Sequence, residues 1–229
     1  MVVHDGELIV VGDFTSAGGA AANRIAAWDG TSWPPSGGVS TSRVARWNGS
    51  QWSSATGAHG SGLSTTAFAL HTLGSTLYVG GEFTYVGRGP TLEDFVVTRG
   101  IAAFDGSSWS QVGRGWGFGN VVYEIEVAEL ELYVGASFNQ LSGDPMEYVG
   151  KWDGSQWVPM GSGIVGAPLT ILVNPGSGAI YIGGNFHTAG AKPSSNFARW
   201  EGEAAADAPQ PLAVTPLVLE AGPILSTTW

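Results

Sequence analysis

The sequence predicts an all-β protein assembled from repeated four-stranded antiparallel units. Three observations carry that expectation. A short aromatic signature recurs five times, a glycine-ended apolar strand recurs four times upstream of it, and another apolar run precedes most of those strands. Self-similarity at a fixed period reveals an architecture before any single residue does.

The aromatic signature reads Ala26-Ala27-Trp28-Asp29-Gly30-Thr31-Ser32-Trp33, Ala45-Arg46-Trp47-Asn48-Gly49-Ser50-Gln51-Trp52, Ala102-Ala103-Phe104-Asp105-Gly106-Ser107-Ser108-Trp109 and Gly150-Lys151-Trp152-Asp153-Gly154-Ser155-Gln156-Trp157, with a worn copy at Ala198-Arg199-Trp200-Glu201-Gly202. Asp-Gly or Asn-Gly between β-prone runs is a strong hairpin signal, because a two-residue type I′ loop needs φ > 0 at both positions. With Asp29-Gly30 as that loop, Trp28 pairs with Thr31 and Ala26 with Trp33. A small residue then stands opposite the second Trp in each full copy: Ala26, Ala45, Ala102 or Gly150. The space it leaves admits an indole lying against the strand. Trp28, Trp33, Trp47, Trp52, Trp109, Trp152, Trp157 and Trp200 are therefore expected to be packing residues; a Trp pair gripping a sugar fits at most one copy.

The second signature reads Leu8-Ile9-Val10-Val11-Gly12-Asp13-Phe14, Leu77-Tyr78-Val79-Gly80-Gly81-Glu82-Phe83, Leu132-Tyr133-Val134-Gly135-Ala136-Ser137-Phe138 and Ile180-Tyr181-Ile182-Gly183-Gly184-Asn185-Phe186. Glycines ending a buried strand mark a bend or the close approach of another backbone. The run ahead of it is Ala67-Phe68-Ala69-Leu70, Val121-Val122-Tyr123-Glu124-Ile125 or Leu169-Thr170-Ile171-Leu172-Val173, joined to it by turns such as Leu73-Gly74-Ser75 and Pro175-Gly176-Ser177-Gly178. The order within a unit is apolar run, glycine-ended strand, strand into the aromatic turn, strand out of it. Four-stranded sheets repeated every 40–50 residues or so are the blades of a β-propeller.

These motifs resemble Kelch-type blades, and more closely the divergent bacterial repeats of the type Leu-Tyr-Val-Gly-Gly-x-Phe followed by Ile-Ala-x-Trp-Asp-Gly-x-x-Trp. The resemblance covers roughly residues 1–203. It implies a propeller and, because such families are mostly binding and scaffold modules, says little about activity. The Asp box of sialidases is rejected, since its Gly stands two places after Asp and here it follows directly, as Gly30, Gly106 or Gly154.

Phe104, Trp152 and Trp200 lie 48 residues apart, whereas Trp28 and Trp47 are only 19 apart. The blades therefore fall at about 1–33, 39–52 (partial), 61–109, 116–157 and 163–203, about five with one incomplete. The incomplete blade lacks an apolar run and glycine-ended strand around Pro34-Pro35-Ser36-Gly37-Gly38-Val39. The tail, 204–229, offers possible closing strands at 214–220 and 223–229, favoured as local closure of the last blade because an unpaired edge invites aggregation.

The chain has 229 residues with 36 Gly, 10 Trp and 9 Phe, which suits one all-β domain. A net charge of −10 argues against nucleic acid and anionic membrane as partners, which need a basic face. Six cations, Arg24, Arg43, Arg46, Arg99, Lys151 and Arg199, sit in or just before the strand entering the aromatic turn and read as a solvated blade face. With no Cys there is no disulfide framework, thiolate metal site or the Cys-Tyr copper centre of one Kelch-like oxidase family. No apolar run is long enough for a membrane helix. No signal peptide is visible, and Met1-Val2-Val3 already reads as part of a blade, so a fragment or mature module is expected. Asn48-Gly49-Ser50 matches a glycosylation sequon but is first of all a repeat turn.

Chemistry-bearing residues are sparse. His4, His59, His71 and His187 show no metal-ligand spacing and no repeat position, so no metal or cofactor is expected. The Asp of each aromatic turn belongs to turn geometry. Glycosidase propellers need carboxylates on inner strands of different blades, whereas here Glu124 and Glu126 come from one. They share a face and line either a channel or a solvated surface. Nucleophilic-serine, P-loop and dinucleotide motifs are absent. Segments that break the repeat are better candidates for binding. One is 113–120, with Arg114, Trp116 and Phe118, whose counterpart 57–62 holds His59; its aromatics either face solvent or tuck between blades. Another is the long loop 84–95 with Arg88, Glu93 and Asp94; its counterpart 139–148 holds Asp144, Met146 and Glu147. Loops on rigid repeats are where specificity usually resides.

The function expected from these features is non-catalytic recognition of a protein partner, or scaffolding, by a module of a bacterial surface or secreted protein. A carbohydrate-binding lectin is the alternative, and a glycoside hydrolase-like enzyme a lesser one. An open blade also invites completion by a second copy.

Overall fold

The computed structural model describes residues 62–87, 95–113, 121–128, 130–137 and 148–201, and outside them the backbone of short strands between Val2 and Pro211. Among the described residues there is no helix, and three four-stranded antiparallel sheets follow one another with the same internal order. The first comprises Ala67–Leu73, Thr76–Gly81, Ile101–Phe104 and Trp109–Gln111. The second comprises Val122–Ala128, Glu131–Ala136, Val149–Trp152 and Trp157–Pro159. The third comprises Ile164–Val173, Ile180–Ala189, Phe197–Trp200 and Gln210–Pro211, with Lys192–Pro193 pairing on the far end of its second strand.

The expected unit is thus present three times: apolar run, glycine-ended strand, strand into the turn, strand out. Nearer the N-terminus, Val2–His4, Glu7–Val11 and Ile25–Trp28 form a three-stranded sheet, and Ala45–Trp47 pairs with Trp52–Ser54 alone. In the third sheet the outer strand comes from the tail through Ala198↔Pro211 and Arg199↔Gln210. The tail segments 214–220 and 223–229 lie outside the described residues.

The aromatic turn differs from the expected two-residue loop. Phe104 pairs directly with Trp109, and Trp152 with Trp157, so four residues form each loop. Asp105 has an ordinary negative φ and only Gly106 is left-handed, at φ +98°. The Asp acts through its carboxylate. Asp105 Oδ1 accepts from the Ser107 and Ser108 amides at 2.8 and 2.7 Å, and the Asp105 amide donates to the Ser108 carbonyl at 3.2 Å. Asp153 binds the Ser155 and Gln156 amides in the same way, at 2.8 Å each. Such a side-chain-closed loop supplies the local bonds that a type I′ turn would otherwise make. The second Trp consequently faces the first aromatic, not the small residue two places earlier. Ring centroids are 4.9 Å apart for Phe104 and Trp109 and 5.2 Å for Trp152 and Trp157. Ala102 stands opposite Gln111, and Gly150 opposite Pro159.

The paired glycines have separate tasks. A Cβ on Gly80 would stand 2.5 Å from Val122 Cγ1 of the next sheet, and one on Gly135 would stand 3.0 Å from Pro168. The first glycine therefore lets neighbouring sheets close together. A Cβ on Gly81 would be driven into the Thr66 carbonyl, and one on Gly184 into the Ala167 carbonyl. The second glycine thus makes room for the bulge in its own inner strand, between Ala67 and Ala69 or between Pro168 and Thr170. The middle sheet carries Ala136 there, with its bulge between Val122 and Glu124.

The cores lie between sheets. Ala69, Ile101, Ala103 and Val112 of the first meet Val122, Ile125, Leu132, Val134 and Trp157 of the second. Tyr133, Val149 and Met160 of the second meet Ile171, Ile180, Ile182, Ala198 and Trp200 of the third. Trp109, Trp157 and Trp200 are buried, and the Trp157 indole N–H donates to the Val112 carbonyl at 3.4 Å. Burying roughly 200 Å² of indole at ~25 cal/mol/Å² is worth about 5 kcal/mol before entropy is charged. The inner strands Ala67–Leu73, Val122–Ala128 and Ile164–Val173 stand side by side, and Glu7–Val11 lies beside Ala67–Leu73.

Candidate functional site

Antiparallel order gives each sheet two distinct ends. Turns 74–75 and 105–108 leave from one end, whereas the connections 82–100 and 112–121 leave from the other. Neighbouring inner strands point the same way, since Gly80 lies against the start of the next inner strand at Val122, and His71 near its end approaches Glu126. The connections of successive sheets therefore gather on one rim.

On the first sheet that rim is built as a hairpin. Tyr85–Gly87 pairs with Phe95–Val97 in the register Tyr85↔Val97, Val86↔Val96, Gly87↔Phe95. The alternation of β-prone residues in Tyr-Val-Gly and Phe-Val-Val explains it, although the segment reads as a plain loop from its Pro, Glu and Asp content. The hairpin is moored on its other side. Gly87 N–H donates to the Gly62 carbonyl at 2.9 Å, Ser64 N–H to the Tyr85 carbonyl at 3.1 Å, and Thr84 N–H to Ser64 Oγ at 2.9 Å. The hairpin's own Val86 is buried with Leu63 and Phe83. The Tyr85 ring meets Phe95 edge-on at 4.9 Å, with Tyr85 and Val97 exposed to solvent. This gives a fixed aromatic base next to the 88–94 connection. The equivalent connection of the third sheet turns back at once through Gly190 and Ala191.

Arg88, Glu93 and Asp94 belong to the 88–94 connection, Arg114, Trp116 and Phe118 to 114–120, and His59 lies between the paired strands Thr56–Gly57 and Gly60–Ser61. All seven lie outside the described residues, as do Met146 and Glu147. The described strands that flank 88–94 and 114–120 end on the same rim. Tyr85 and Phe95 fall inside the nominated segment 84–95, but their pairing and the exposure of Val97 are not anticipated by its breakers; the aromatic and β-branched alternation is the signal that carries them.

At the base of this rim, each third strand begins from a left-handed residue. Gly100, Tyr148 and Asn196 have φ of 103°, 64° and 66°, unusual for a bulky Tyr. Their carbonyls accept from the amides of Gly81, Ala136 and Gly184 at 2.9, 2.9 and 3.1 Å. No sequence motif announces this position, because three different side chains fill it.

The inner strands carry a second group of polar residues. His71 Nδ1 lies 3.0 Å from the Thr72 carbonyl, and Nε2 stands 4.0 Å from Glu126 Oε2. Glu124 is half-buried on the same face as Glu126, and burial pushes its carboxyl above the ordinary glutamate range, opposed by the Ile125 amide at 3.2 Å. Among the described residues no three His, Cys, Asp or Glu are placed to hold a metal ion, and no helix is long and apolar enough to cross a membrane. Lys151 pairs with Glu131 at 3.0 Å, and Arg199 with Glu201.

The turn carboxylates are held for structure. Four hydrogen bonds from Ser107 and Ser108 hold Asp105 far below the usual carboxylate range, and bonds from Gln156 and Ser155 bring Asp153 to about 2. No protein-family model matches the chain, and no curated protein matches it either.

Proposed function

We propose that the chain is a Kelch-like β-propeller that works as a non-catalytic recognition module outside the cell or at its surface, binding a protein partner through the connection rim. The observation that carries this reading is the asymmetry of the sheets. One end repeats a carboxylate-closed loop, while the other presents connections of different length on a moored base with exposed Tyr85 and Val97. Rigid repeats with variable connections at one end suit surface complementarity, with aromatic anchors contributing most of the affinity. The chemistry invokes no cofactor and no covalent step.

Binding to a glycan array, compared with photo-crosslinking from rim positions, tests this. A protein adduct that disappears when 88–94 is replaced by Asn-Gly supports it. Selective glycan hits lost in Trp116→Ala establish the lectin alternative. Hydrolytic activity lost in Glu124→Gln establishes the enzyme.

A further inference from the structure

Each inner strand carries a bulge at the same place near the rim, and each bulge holds one large side chain. The bulges fall between Ala67 and Ala69, Val122 and Glu124, and Pro168 and Thr170, so the intervening residues are Phe68, Tyr123 and Leu169. A bulge re-aims its side chain out of the regular pleat. Ala67 packs into the core on one face of the first sheet and Ala69 into the core on the other, whereas Phe68 belongs to neither and is 40% exposed. Leu169 is 52% exposed beside the buried Pro168, and Tyr123 is half-buried beside the buried Val122. Because the inner strands stand side by side, three successive sheets present an apolar or aromatic side chain at one level.

Charge is distributed unevenly around these side chains. The inner strands Ala67–Leu73, Val122–Ala128 and Ile164–Val173 hold two carboxylates, Glu124 and Glu126, and no Lys or Arg. Glu124 follows Tyr123 directly, on the middle of the three strands, with a described inner strand on either side. Its Oε1 accepts from the Ile125 amide, and among the described residues no Lys or Arg pairs with it; Lys151 and Arg199 are engaged by Glu131 and Glu201. Burial raises the Glu124 carboxyl, so a cation brought to it offsets the cost of holding its charge there. Apolar walls beside such a carboxylate suit a cation carried on an apolar stem. An arginine side chain is that kind of group, flat enough to lie on an aromatic ring while its guanidinium meets a carboxylate.

We infer that Glu124, with Phe68, Tyr123 and Leu169 as walls, receives an arginine side chain of the protein partner. The inference rests on the rim reading and deepens it: the bulges lie where the connections enter the inner strands, so the site is the inner margin of the same rim, and the partner presents a basic segment to it. A net charge of −10 draws such a segment in.

Chemical-shift titration of the full chain is the test, with N-acetyl-arginine amide as the probe and N-acetyl-citrulline amide as its neutral isostere. Saturating shifts at Phe68, Tyr123, Glu124 and Leu169 are expected with the arginine probe and not with the citrulline one. Glu124→Gln is expected to weaken the arginine probe about tenfold or more, and Phe68→Leu about two- to fivefold, each with the remaining resonances in place. Glu201→Gln, at the turn end, is expected to leave binding unchanged, which separates the site from the general pull of an acidic chain on cations. Equal binding of the two probes, wild-type affinity in Glu124→Gln, or an equal loss in Glu201→Gln each overturns the inference. So does binding that emerges only when the amino terminus is acetylated, because the chain's own ammonium is then the occupant. A protein adduct at the rim without arginine binding overturns this inference and leaves the rim reading standing. Arginine binding without any rim adduct overturns the rim reading and, with it, the partner as the source of the side chain.

Discussion

The two ends of the sheets are held by different means. At the turn end a side chain does the holding: Asp105 and Asp153 gather the amides and hydroxyls of their own loops, and the loop is the same each time. At the rim end backbone proximity does it. Gly81 and Gly184 leave room for a bulge, and carbonyls of left-handed residues close the base of each connection. A side-chain lock fixes the loop's own sequence. A backbone lock fixes only the base and leaves the connection beyond it free to differ, which is where 88–94 and the short Gly190 turn diverge.

The largest effect that tests this contrast is removal of an aromatic anchor. Trp157→Ala is expected to lose about 3–5 kcal/mol, roughly 10 °C of Tm for a chain this size, in thermal unfolding; a small loss would mean that turn and core are independent. Next comes Gly81→Ala. Its methyl meets backbone that cannot rotate away, so a loss of about 1–3 kcal/mol or more is expected by denaturant titration, whereas Gly106→Ala, with open space around it, should cost only the backbone strain of its positive φ.

A smaller change separates the carboxylate lock from its glycine. Asp153→Ala lowers Tm at neutral pH. Because the native carboxyl is depressed, its contribution is present above the ordinary Asp range and is lost as pH falls through about 2. The Tm gap between wild type and variant should therefore narrow between about pH 4 and 2, and a gap independent of pH removes the carboxylate from the explanation. Glu124→Gln runs the other way. Its native carboxyl is raised, so ionisation opposes folding; the variant should gain a little Tm at neutral pH and lose that gain as pH falls below the ordinary glutamate range. The smallest expected change is in the stability of a chain with 88–94 replaced by Asn-Gly, since the Tyr85–Gly87 and Phe95–Val97 stem carries its own pairing.

Much of this was legible in the sequence. The recurrence of Leu-Tyr-Val-Gly with the aromatic turn predicts the strand order found in all three sheets, because the apolar periods and glycine stops are local. The turn register was not legible. Asp-Gly announces a hairpin, but whether the Asp works through φ or through its carboxylate depends on the hydroxyl two places on, Ser107 or Ser155, which looks like any polar loop residue. The separate tasks of Gly80 and Gly81 were equally hidden, as one is explained by a neighbouring sheet and the other by its own inner strand. The seven binding candidates singled out by composition fall in segments whose length follows no repeat, so neither periodicity nor pairing constrains them.

The depressed turn carboxylates carry one more consequence. In mild acid, where ordinary carboxylates take up protons and histidines are charged, Asp105 and Asp153 keep their negative charge on one end of adjacent sheets. Acidification therefore leaves these two turns as the last negatively charged groups to be neutralised among the described turns at that end of the sheets.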